Sequence, residues 1–151
     1  MLQLTKRTEY GLIALIHLAD REGEVVSARE IGEHYAMPRR LLAEVFKDLH
    51  HAGLVESQRG ASGGYSLARP AASVTLGEVV AAVEGAPTLT SCEGLGAMRG
   101  GSCDVQPLCP IRSPLQRIRQ GIWSLFQSTT LRALADSSLD PTELFATQTE
   151  R

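Results

Sequence analysis

No stretch of these 151 residues approaches the roughly 20 consecutive apolar residues that span a bilayer, and the opening MLQLTKRTEY lacks the apolar run of a secretory signal. The expectation is a cytoplasmic protein with no membrane partner. Strong positive charge is missing too. The formal net charge is −2, whereas domains that coat nucleic acid by bulk attraction are usually basic. DNA binding then requires that the few cations gather on one face. Cysteine is scarce, and the three present are an odd number, so in a reducing compartment they are expected to be free, metal-bound or redox-active rather than bridged. The close C-x2-4-C knuckles of structural zinc sites are absent. So is any nucleophile motif: His17 lies inside an apolar helical pattern, and His50 and His51 end another predicted helix, which argues against an enzyme.

What is present describes an ordinary folded domain. Apolar residues make up 43% and charged residues 21%, close to globular averages, and a chain of this length buries roughly 70% of its unfolded surface. There is no internal repeat. Charge is uneven along the chain: residues 1–70 carry nine Lys/Arg and nine Asp/Glu, 71–108 one and four, 109–151 five and four. The cysteine-containing middle is the acidic part.

Apolar periodicity marks the elements. Leu12, Leu15, Ile16 and Ala19 form the stripe of a first helix over Thr8 to Asp20. Ser27 with Glu30 reads as a capping box opening a second helix that runs to about Tyr35. Pro38 suits the first turn of a third, in which Leu42, Val45, Phe46 and Leu49 repeat the stripe and Gly53 supplies the stop. The segment LVESQRGASGGYSLARP predicts a β-hairpin, and a helix over Leu76 to Glu84 follows. Together these make a helix-turn-helix with a wing. From Gly85 to Pro110 periodicity vanishes around all three cysteines; a loop of this length is usually functional or disordered. Ile111, Leu115, Ile118, Ile122, Leu125 and Phe126 then mark a long helix to about Thr129, and Asp140 with Pro141 starts a short terminal one. The fold class is mainly α with a small β-hairpin wing. Its expected divisions are a winged domain at 1–84, a cysteine loop at 85–110, a dimerisation helix at 111–135 and a tail at 136–151.

Arg39, Arg40 and Lys47 on the third helix can reach base edges and phosphates in a major groove, although short basic faces are also common on soluble helices. Arg59 on the wing, with Gly60, Gly63 and Gly64, can approach a phosphate backbone without side-chain clash; a purely structural turn is the alternative. Cys92, Cys103 and Cys109 have the spacing C-x10-C-x5-C. Thiolates suit iron–sulfur clusters and zinc alike, and unligated thiols are the remaining option.

The blocks LTKRTEYGLIALIHLA, LLAEVFKDLHHAGLVESQRGASGGYSLARP and TLGEVVAAVEG, followed by cysteines and a long helix, resemble the IscR/NsrR family (Rrf-type) of winged-helix, iron–sulfur transcription regulators over about residues 2–135. The wing RGASGGYSL followed by TLGEVV is the most specific element. The resemblance implies a homodimer on double-stranded DNA with an imperfect palindrome. It also implies a repressor controlled by an iron–sulfur cluster that responds to nitric oxide, redox state or iron supply. The helix from Ile111 would pair with its twin through Leu115, Ile118, Ile122, Leu125 and Phe126. Such pairing has a physical basis, because an amphipathic helix outside the winged unit must bury its stripe. Glu9 stands where some members place an acidic ligand to the partner's cluster, and His34 where one branch supplies a histidine. Each has a plainer role, as a helix-terminal carboxylate or a surface residue. The family's usual cysteine gaps are five and five; the first gap here is ten, which leaves [2Fe-2S] and [4Fe-4S] both open. A thiol-based redox switch without a cluster is the alternative function.

Overall fold

The computed structural model describes residues 3–85, 88 and 108–136. Cys92, Cys103 and the helix expected from Asp140 lie outside that range. The first helix, α1 (Lys6–Ala19), starts at Thr5, whose side chain accepts from the Thr8 amide at 3.4 Å and so satisfies one of the orphan donors of the first turn. Its buried face is Thr8, Gly11, Ala14, Leu15, Leu18 and Ala19, while Leu12 and Ile16 of the predicted stripe are only half-buried. The reason is Gly11. A Cβ there would stand 3.2 Å from Val45 Cγ1, so the missing side chain lets the third helix close on this side of α1.

Helix α2 (Ala28–His34) has the expected Ser27 cap, accepting from the Glu30 amide at 3.1 Å. The reciprocal half of the box is not made, because the Glu30 carboxylate is drawn to Arg21. The turn that follows holds Ala36 at φ 52°, a left-handed conformation disfavoured for a residue with a Cβ. It is retained because the Met37 amide donates to Gly32 at 2.9 Å and the Met37 side chain is buried. Helix α3 (Arg39–His51) then begins one residue later than predicted. Pro38 is its N-cap at φ −61°, ψ 120° rather than its first helical residue. Leu42, Val45, Phe46 and Leu49 are buried as expected, and Gly53 ends the element at φ 70°.

The wing is an antiparallel pair, β1 (Val55–Gln58) and β2 (Gly64–Leu67), with Val55 opposite Leu67 and Gln58 opposite Gly64. Val26 joins it by exchanging two backbone bonds with Tyr65, at 2.9 and 2.8 Å. Phe46 and Tyr65 stack with ring centroids 4.0 Å apart, which packs α3 against the wing. A 3-10 turn (Ala71–Ser73) leads to α4 (Leu76–Val83), which carries a complete Thr75/Glu78 capping box that the sequence reading did not identify.

The helix expected over 111–135 is two helices. α5 (Arg112–Ser128) ends at Thr129, and α6 (Leu131–Ala135) returns to the winged unit. Two backbone bonds make the junction: Leu76 N–H to Thr129 at 2.8 Å and Leu131 N–H to Val74 at 2.7 Å. Leu131 is 1% exposed within the common core. The second helix opens on a local cap, the Thr130 side chain accepting from the Ala133 amide at 3.1 Å, and the buried Leu131 docks it. Among the described residues, no helix is long and apolar enough to cross a membrane.

Candidate nucleic-acid interface and cysteine loop

Since α3 turns Leu42, Val45, Phe46 and Leu49 into the core, its opposite face presents Arg40, Glu44, Lys47 and His51 at i, i+4, i+7 and i+11, all exposed together with Ala43. The sequence reading named Arg40 and Lys47 on this face and missed Glu44 and His51; the same periodicity that locates the core locates them. Arg40 is 94% exposed and meets Glu44 through Nε at 3.5 Å. Arg39 lies off the stripe, on the flank nearest α2, where its guanidinium meets Glu33 at 3.1 Å. Glu33 also accepts from Arg29 at 2.8 Å. These two arginines hold the Glu33 carboxyl below the usual carboxylate range, Arg29 contributing most. The neighbouring arginines thus differ: Arg40 points away from the protein, and Arg39 is tethered to it.

The wing glycines divide in the same way. Gly60 is exposed at φ 115° with nothing around a would-be Cβ, leaving space at the wing tip beside Arg59, which is also exposed. Gly63 and Gly64 answer to the fold instead. A Cβ on Gly63 would lie 2.5 Å from the Gln58 carbonyl oxygen, and one on Gly64 would fall inside contact distance of the Val26 carbonyl. Among the histidines, His50 Nδ1 lies 3.1 Å from the Val55 carbonyl and ties the end of α3 to β1. His17 is 6% exposed, with Nδ1 3.2 Å from the Tyr35 hydroxyl and Nε2 buried without a hydrogen bond. Burial, then the charges of Arg21 and His34, lower its pKa.

Of the expected metal ligands, Cys109 is a free, half-buried thiol just before α5. Glu9 sits in the first turn of α1, paired with Lys6. His34 ends α2 and packs on Tyr35 and His17, with ring centroids at 4.5 and 5.5 Å. Among the described residues no three His, Cys, Asp or Glu side chains gather as a metal site. Glu9 and His34 are also at opposite ends of α1: His17, the helix's contact to His34, is eight residues past Glu9, or about 12 Å along the axis. Within one chain they therefore do not meet at a single site.

The root of the cysteine loop lies at Glu9's end. Glu84, the last residue before Gly85, accepts from the Thr5 amide at 2.8 Å, the Thr5 hydroxyl at 2.6 Å and the Thr8 hydroxyl. Burial alone would raise the Glu84 pKa, but these bonds and the charge of Arg7 outweigh it and hold the carboxyl below its usual range. A carboxylate at the C-terminal end of α4 is thereby stabilised by the N-terminal turn of α1. Nothing in the local sequence signals this contact, whose partners are 76 and 79 residues apart.

A family model described as Rrf2, iron-dependent transcriptional regulator, matches residues 4–137. Among solved structures, CymR of B. subtilis, described as the global cysteine regulator, is 29% identical with a TM-score of 0.72, covering 93% of this chain and 100% of that one. The oxidized form of S. aureus CymR is 28% identical with a TM-score of 0.69, covering 92% and 100%. IscR of T. potens shares the fold at 23% identity and a TM-score of 0.69, covering 95% and 96%.

Proposed function

Because the chain belongs to the Rrf2 family of transcriptional regulators, which bind DNA and are not enzymes, we propose that it acts as a homodimeric repressor whose grip on an imperfect DNA palindrome is set by an iron–sulfur cluster. Cys92, Cys103 and Cys109 would hold that cluster, [2Fe-2S] or [4Fe-4S], with Glu9 as the further ligand and His34 as the alternative. The observation that carries this reading is the iron-dependent regulator match over 4–137, a span that includes the winged unit and all three cysteines. Donor chemistry agrees, since three thiolates and a hard carboxylate suit iron. Glu9 ranks before His34 because the resemblance to the family places an acidic ligand at that position, reaching the cluster of the partner subunit.

Bound, the cluster supplies iron–thiolate bonds that oxidants, nitric oxide or iron shortage can break. The chain's own residues supply the coupling. Helix α1 carries Glu9 in its first turn, while its Arg7 pairs with Asp48 and its Gly11 packs on Val45, both of the recognition helix α3. Tension on Glu9 is therefore applied to the element that presents Arg40 and Lys47 to DNA. A ligation state shifts the population of binding-competent molecules only by its differential affinity for the two arrangements. Dimerisation rests on α5, which has no buried residue in the single chain and leaves Ile118 54% exposed beside Leu115, Ile122, Leu125 and Phe126.

The test is anaerobic purification followed by an absorbance spectrum and a gel shift of holo and apo protein on DNA selected from a random pool. Bands beyond 300 nm and unequal affinities are expected. A colourless protein, or equal affinities, overturns cluster control. The second reading, a thiol switch without a cluster, is favoured by the likeness to cysteine-regulator structures, one of them in an oxidized form. In that reading Cys109 and its loop partners change oxidation state directly, and the colourless protein would still lose DNA affinity on treatment with peroxide.

A further inference from the structure

Resting on the DNA-binding reading, we infer that Glu44 is a base-reading residue that selects cytosine in each half-site. It occupies the middle of the outward stripe of α3, between Arg40 and Lys47 and opposite the buried Val45 and Phe46. When the stripe enters a major groove, a carboxylate there has no donor to offer. It faces guanine O6 and N7 and thymine O4 as repulsive acceptors, and the surrounding phosphates repel it as well. The cytosine N4 amino group gives it a hydrogen bond, and an uncompensated carboxylate in the groove is expelled by every other arrangement except an adenine amino group flanked by the N7 acceptor. Cytosine, whose amino group has no neighbouring ring-nitrogen acceptor on that edge, is the base that fits.

The local geometry supports the assignment. Arg40 Nε lies 3.5 Å from Glu44 in an exposed ion pair, and the two terminal nitrogens of the guanidinium are left for the O6/N7 edge of a guanine. Four residues separate Arg40 and Glu44, about 6 Å along the helix, close to two base steps of 3.4 Å. The expected half-site therefore contains a guanine and a cytosine about two steps apart. Ala43 beside them has no long side chain to hold the helix away from the bases. Glu44 acts chiefly by exclusion: it lowers affinity for most DNA and thereby sharpens the preference for one sequence.

The experiment is selection from a randomised DNA duplex pool with the full-length wild type, E44A, E44Q and R40A, each checked for folding by circular dichroism. Wild type is expected to enrich cytosine at one position per half-site, by roughly 5- to 150-fold over thymine, the range of one good base contact. E44A should bind random DNA more tightly and lose that preference. E44Q, carrying both a donor and an acceptor, should shift it from cytosine to adenine, while R40A should lose the guanine and keep the cytosine. An E44A motif identical to the wild-type motif, or a wild-type adenine at that position, overturns the assignment. Failure of the wild type to enrich any motif would instead overturn the DNA-binding reading on which it stands.

Discussion

Gly64 and Arg39 show how one residue type serves two demands in the same molecule. Gly64 is fixed by the Val26 carbonyl, against which a Cβ would collide, so Gly64→Ala must break the Val26–Tyr65 bridge or distort β2. The expected loss is about 1–3 kcal/mol, the usual penalty of overpacking, read as a lower midpoint in thermal or urea unfolding; Gly60→Asn at the exposed wing tip meets no neighbouring atom, so its cost is confined to backbone strain at φ 115°. The two arginines separate in the same way. Arg40→Ala, which removes the outward cation proposed to read a base, should relax specificity at one position and cost about 1–3 kcal/mol of operator binding. Arg39→Ala, which removes a tethered cation at the flank, should weaken all sequences evenly and flatten the salt dependence of a binding titration. Identical specificity changes in both variants would show that the Glu33 tether does not hold in the complex.

At the scale of elements, two contacts decide behaviour. One is the free stripe of α5: Ile118→Glu puts a charge into a surface that must be dry in a dimer. Wild type is expected to be dimeric by light scattering at micromolar concentration and the variant monomeric, with an unchanged helical signal. The other is the Glu84 latch between α1 and α4. The folded Glu84 pKa lies below its ordinary 4.5, so its stabilisation is complete above that value and is lost as pH falls through the folded value. His17, lowered from 6.5, acts at higher pH: its contribution is intact above 6.5 and declines as acid forces a proton onto a buried ring. Stability measured by urea unfolding should thus fall first below pH 6.5 and again below 4.5. Glu84→Gln should reduce the second decline, to which Glu78 and Glu33 also contribute, and leave the first, since a neutral amide keeps some of the threonine bonds without titrating.

For the whole molecule, the arrangement of α5 and α6 bears on how a signal could reach DNA. The C-terminal end of α5 is clamped to the winged unit by the Thr75–Thr130 bridge, by Leu131 in the core and by Gly77 packed under Gln127. Any release of that end would have to break these contacts. The other attachment of the cysteine-containing segment is at Glu84, bonded to the first turn of α1, which carries Glu9. Glu9→Ala is therefore expected to alter the cluster spectrum and narrow the gap between holo and apo operator affinities, while His34→Ala leaves both unchanged. An unaltered spectrum in the Glu9 variant would remove Glu9 from the ligand set.

Local chemistry determined much of this protein before any contact was known. Periodicity and caps placed α1, α2, α3, the hairpin, α4 and the long helix within a residue or two, because each is specified by side chains a few positions apart. The outward face of α3 was legible for the same reason, being the complement of Leu42, Val45, Phe46 and Leu49. What the tertiary structure alone decided involves residues far apart in the chain: the Glu84 bond to Thr5 and Thr8, the Gly64 approach to Val26, and the return of Leu131 to the core beside Val74. The end of α5 near Thr129 was legible in the periodicity, but the docking of α6 was not. That docking buries Leu131 and joins Leu76 to Thr129, contacts that only the packed core supplies.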